Sequence, residues 1–129
     1  MKVLYDDPNF SVVYYPLDKV MVATRKASDA SVEEALGSMR KALAIDVREY
    51  MPYAMILDVR AVIGRSDPNF ERATAELRGI AQRQVTRFVT LVATVAGALQ
   101  VRRMSAESGY PLLVATTEEE AFRLARGGA

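Results

Sequence analysis

The chain has 129 residues, half of them hydrophobic and 26% charged, which suits a single domain with a core of its own. Lysine and arginine number 17 against 16 acidic residues, and a net charge of +1 with a pI near 8.0 makes no case for a nucleic-acid partner. Cysteine and histidine are absent, which removes disulfides, thiolate chemistry, histidine triads and histidine metal sites.

The opening residues, Met1-Lys2-Val3-Leu4-Tyr5-Asp6-Asp7, hold no long apolar segment. Charged residues or proline interrupt every later apolar run well short of membrane-spanning length. A soluble, cytoplasmic chain is the expectation. Residues 2–5 suit a short strand. Residues 11–15 and 19–25 are β-branched and aromatic runs around Pro16-Leu17-Asp18, and they read as a hairpin. A long helix should open at Ser31, whose hydroxyl can cap the first N–H groups while Glu34 completes a capping box. Val32, Leu36, Met39, Leu43, Val47 and Tyr50 recur at three- and four-residue steps, giving one buried stripe that Pro52 ends.

Residues 53–59 are apolar but for Asp58 and show no alternation, as in a strand whose sheet has helices on both faces. Ser66-Asp67-Pro68 opens the next expected helix, with proline where a missing N–H costs nothing. Its inner stripe is Phe70, Ala73, Leu77, Ile80 and Ala81, and its outer face carries Glu71, Arg72, Glu76, Arg78 and Arg83. Residues 87–93 read as another buried strand. Residues 95–108 read as a helix stopped by Gly109, and 111–115 as the last strand. Thr117 and Glu120 form a second capping box, for a short helix ending at Gly127-Gly128. Leu57, Leu91 and Leu113 are expected core residues. This order predicts an α/β fold with an N-terminal β-hairpin, then alternating helices and mainly parallel strands with right-handed crossovers. Asp-Pro-Asn-Phe occurs at 7–10 and again at 67–70, but the flanks differ and no repeat follows.

Neither a G-x-G-x-x-G loop nor a Walker A motif is present. A Ser–Lys pair stays open in principle, with only Lys2, Lys19, Lys26 and Lys41 to supply it. The expectation is therefore a protein that is not an enzyme, with no cofactor and no metal site. Asp6-Asp7 and Met55-Ile56-Leu57-Asp58 resemble parts of a response-regulator receiver, whose acidic pair holds Mg²⁺ beside an aspartate. The hairpin after Asp7 and the lack of lysine in Leu112-Leu113-Val114-Ala115-Thr116 oppose that likeness.

The order of elements resembles the STAS-type fold of anti-sigma factor antagonists, and more closely the SpoIIAA-like family of small bacterial proteins. The likeness runs over almost the whole chain, 10–126, as a single STAS-like domain. It rests on Tyr15-Pro16-Leu17-Asp18-Lys19-Val20, on Ile56-Leu57-Asp58-Val59-Arg60, and on the loop leading to Pro68. The resemblance implies a mixed sheet and a regulatory or protein-interaction role. In regulatory STAS domains a partner kinase phosphorylates a serine where the next helix opens. Ser66 lies near that place, in Gly64-Arg65-Ser66-Asp67-Pro68, with the family's Asp–Ser order inverted.

Charge is uneven: residues 60–103 carry eight arginines against three acids. An acidic protein partner is the natural complement. The carboxyl ends of parallel strands are where α/β sheets meet ligands and partners. The expected contact residues are thus Asp58, Arg65, Ser66, Asp67, Arg72, Arg78, Thr94 and Thr116. Asp58 could instead bond its own loop, and the hydroxyls could serve only as helix caps. A homodimer is left open, and so is the alternative of a small apolar-ligand or lipid-binding domain, which a cavity lined by the helix stripes would favour.

Overall fold

The computed structural model describes residues 1–27, 29–61, 79, 83–108 and 113–127. Its strands follow one another across a single sheet in chain order: β1 (Lys2–Asp6), β2 (Phe10–Tyr15), β3 (Val20–Arg25), β4 (Ala54–Asp58), β5 (Phe88–Leu91) and β6 (Leu113–Ala115). β2 runs antiparallel to both β1 and β3, and β3 to β6 run parallel. Three helices are described: α1 (Val32–Leu43), α2 (Val95–Ser108) and α3 (Glu118–Ala125). The expected α/β class, the hairpin and the parallel strands are present. The helix expected from Ser66 lies outside the described residues, except that Gly79 is helical. The expected stop at Gly109 also lies outside them.

Alternate side chains of a strand point to opposite faces, so cross-strand partners line up in rows. One face carries the rows Tyr14–Met21–Met55–Phe88 and Val12–Ala23–Leu57–Thr90. Leu36, Met39 and Ala42 of α1 pack against that face. The opposite face carries Val20–Ala54 and Val22–Ile56–Val89–Leu113, and Ala121 and Ala125 of α3 pack there. Every residue of β4 is buried, which is why its sequence shows no alternation. Val20, Met21, Ile56, Val89 and Leu91 are at most 1% exposed. Each contributes roughly 1.5–3 kcal/mol by leaving water, before conformational entropy is counted. Leu113 is only half-buried, because β6 is a three-residue strand at the end of the sheet order.

The helix that was to run to Pro52 ends at Leu43. Asp46 supplies the reason: its Oδ1 accepts from the backbone N–H of Arg48 at 3.1 Å, closing a local turn that competes with helical bonding. A short 3₁₀ turn follows over Arg48–Tyr50. Val47 and Tyr50 still reach the core, and the Tyr50 ring lies 4.6 Å from that of Tyr14. Of the stripe, Leu36 and Met39 are buried and Leu43, Val47 and Tyr50 partly so, but it does not run as one helix. At the other end the Ser31 hydroxyl accepts from the Glu34 N–H, as its position predicted.

Candidate functional site

The carboxyl edge of the parallel strands is assembled by register. Asp6, Ser11, Thr24, Asp58, Leu91 and Ala115 form one continuous row across all six strands. Just beyond this row, the chain leaves β5 toward Thr94 and leaves β6 at Thr116. Asp58, Thr94 and Thr116 therefore share one edge, as expected from sequence. Arg65, Ser66, Asp67, Arg72 and Arg78 lie outside the described residues.

Asp58 is 8% exposed and is held by its own loop. Its Oδ1 accepts from the Arg60 backbone N–H at 3.0 Å and from Arg60 Nε at 3.1 Å, and Oδ2 accepts from Nη2 at 2.9 Å. The carboxylate in turn holds the Arg60 guanidinium above its ordinary pKa. Arg60 Nη2 also comes within 3.8 Å of Glu118 Oε2, linking the end of β4 to the start of α3. The two-pronged bond fixes Arg60 in orientation as well as in charge. Arg60 and Glu118 were absent from the expected contact set. The spacing Asp58-x-Arg60 was the available signal, since it allows one arginine to close the turn after a strand.

The hydroxyls at this edge are largely committed to helix openings. Thr94 Oγ1 accepts from the Gly97 N–H at 3.0 Å, capping α2. Thr117 Oγ1 accepts from the Glu120 N–H at 3.2 Å, capping α3. Glu120 reaches back to the N–H of Thr116, one residue before the position a capping box requires. Thr116 itself is exposed. The edge is thus a polar rim around an ion pair whose carboxylate is buried and whose guanidinium is 40% exposed.

Ser38-Met39-Arg40-Lys41 does carry the Ser-x-x-Lys spacing. However, α1 buries Ser38, whose Oγ accepts from Asn9 Nδ2 at 3.1 Å, and turns Lys41 to solvent. The pair joins a structural clasp and an exposed face. Asp6 and Asp58 sit three strand spacings apart, about 14 Å, which is too far to share a metal ion.

A second feature lies on the α1 face of the sheet. A cavity of about 60 Å³ opens between α1 and strands β2 to β5. Its floor includes Met21, Ala23, Met55 and Leu57, its roof Met39 and Ala42, and its rim Ile45, Val47 and Gln84. Ala23 sits between Val12 and Leu57 in its row, so a small side chain leaves a dip in an otherwise bulky surface. No charged residue is among the described lining. A void of that size forgoes roughly 1–2 kcal/mol of packing, a cost a domain of this length can carry.

No family model, curated protein or solved structure matches this chain. The site's own chemistry therefore carries the functional argument. Among the described residues no cluster of acidic side chains could hold a metal ion, and no helix is long and apolar enough to cross a membrane.

Proposed function

We propose that this chain is a non-enzymatic regulatory module, resembling STAS-type domains, which meets an acidic protein partner at the carboxyl edge of its parallel strands. The observation that supports this most is the convergence of Asp58, Arg60, Thr94 and Thr116 on one edge. In sequence, Arg60 opens the arginine-rich segment that includes Arg65, Arg72 and Arg78. In this reading Asp58 is a positioning residue, and Arg60 offers the partner a fixed, half-exposed guanidinium. A phosphate on Ser66 would add a charge of about −1.5 to −2 next in sequence to Arg65, opposing an acidic partner.

The test compares capture of partners from a lysate of the source cells by the intact chain and by three variants. Thr116→Glu puts a repulsive charge on the edge, Arg72→Glu with Arg78→Glu reverses the basic charge, and Ser66→Asp mimics the modification. The expected result is a protein retained by the original chain and weakened by these changes, with melting temperatures within a few degrees. Equal retention by all four would remove this surface from the reading.

A further inference from the structure

We propose that the cavity beneath α1 binds one small, neutral, apolar molecule, with its tail among Met21, Met39 and Met55 and its polar end at Gln84. The inference is independent of the partner edge, since the cavity is lined from the α1 face and the edge row lies on the opposite one.

Three observations set the ligand class. The described lining holds no charged side chain, so an ion entering it would lose its hydration without compensation. Among the described lining, the phenol of Tyr53 and the amide of Gln84 are the polar side chains, and Gln84 is exposed at the rim. They suit one hydroxyl or carbonyl, not a charged headgroup. The volume near 60 Å³ admits a short aliphatic tail or a small branched group, well below the space a long acyl chain needs. Three of the six methionines line the space, and their unbranched, polarisable side chains can adjust to such a guest. Ala23 and Ala42 make the room; larger residues at either position would close it.

The methionines also supply the assay. With ¹³C-labelled methionine methyl groups, the full chain is titrated with straight-chain alcohols from 1-propanol to 1-hexanol. Saturable shifts are expected at Met21, Met39 and Met55, while Met1 and Met51, 82% and 48% exposed, act as internal references. Affinity should rise about fourfold for each added methylene that becomes buried. It should level off between butanol and hexanol, when the cavity is full. Ala42→Leu should abolish the saturable shifts in a folded chain, with Ala23→Val as a second filling variant should the first fail to fold. Shifts that do not saturate, that are equal at Met1 and Met51, or that survive both filling variants would overturn the proposal.

Discussion

Asp7 shows how much one side chain can organise. Its Oδ1 accepts from the backbone N–H groups of Asn9 at 2.7 Å and Phe10 at 2.8 Å, and its Oδ2 accepts the Tyr5 hydroxyl. Burial pushes its pKa upward, but bonds from Tyr5, Ser38, Asn9 and Phe10 outweigh this and hold the carboxyl at about 2, against 3.8 ordinarily. A carboxyl depressed in the folded state stabilises the fold above its unfolded value. That contribution disappears as pH falls through about 2. The chain should therefore lose more stability between pH 5 and pH 2 than Asp7→Asn does, in urea unfolding at each pH. Asp46 is also held at about 2, by the Arg48 side chain, but it is common to both proteins and drops out of the comparison. Parallel stability curves would show that Asp7 is not ionically coupled to the fold.

At the scale of elements, burial decides which strand residues matter. Leu57 and Leu91 lie in the middle strands at 6% and 1% exposure, whereas Leu113 is half-buried on short β6. Leu57→Ala and Leu91→Ala should each cost about 2–5 kcal/mol through lost burial and a new cavity. Leu113→Ala should cost clearly less, contrary to its equal standing in the sequence. Urea denaturation of the three variants checks the ranking. Equal losses at all three would mean that β6 is better covered than its packing indicates. Helix ends follow local chemistry more closely: Ser31, Thr94 and Thr117 each cap the helix their positions announced. The end of α1 does not, because Pro52 marks only where a helix must have stopped, and the Asp46 turn stops it earlier.

For the whole molecule, sheet order governs what can act together. Asp6 and Asp58 share one row, yet β2 and β3 stand between their strands. Incubation with Mg²⁺ and a small phosphodonor should leave the intact mass unchanged. An adduct abolished by Asp58→Asn would revive the receiver likeness and displace the regulatory reading offered above. Long-range ties close the other end of the molecule. Arg126 Nη1 donates to Asp18 Oδ1 at 3.0 Å, joining the segment after α3 to the hairpin turn. Tyr15 packs edge-on against Phe122 with ring centroids 5.2 Å apart. An exposed ion pair of this kind contributes at most about 1 kcal/mol, so the burial of Val20, Ile56 and Val89 beneath α3 matters far more.

Properties set within a few residues could be read from the sequence alone. The hairpin around Pro16, the apolar run of β4 up to Leu57, the caps at Ser31 and Thr117 and the end of the last helix before Gly127 all depend on nearest neighbours. Gly127 adopts a φ of +88°, which suits glycine. Other properties were decided only by packing. The strictly sequential strand order set the distance between Asp6 and Asp58, and the end position of β6 left Leu113 half-buried. The pairing of Asp58 with Arg60 gives the aspartate its bonds within its own loop. The cavity exists because Ala23 and Ala42, 19 positions apart in the chain, line it from sheet and helix. A sequence pattern records which face a side chain prefers, because that preference is local. It does not record which distant side chain will stand opposite, because that depends on how the whole sheet is ordered.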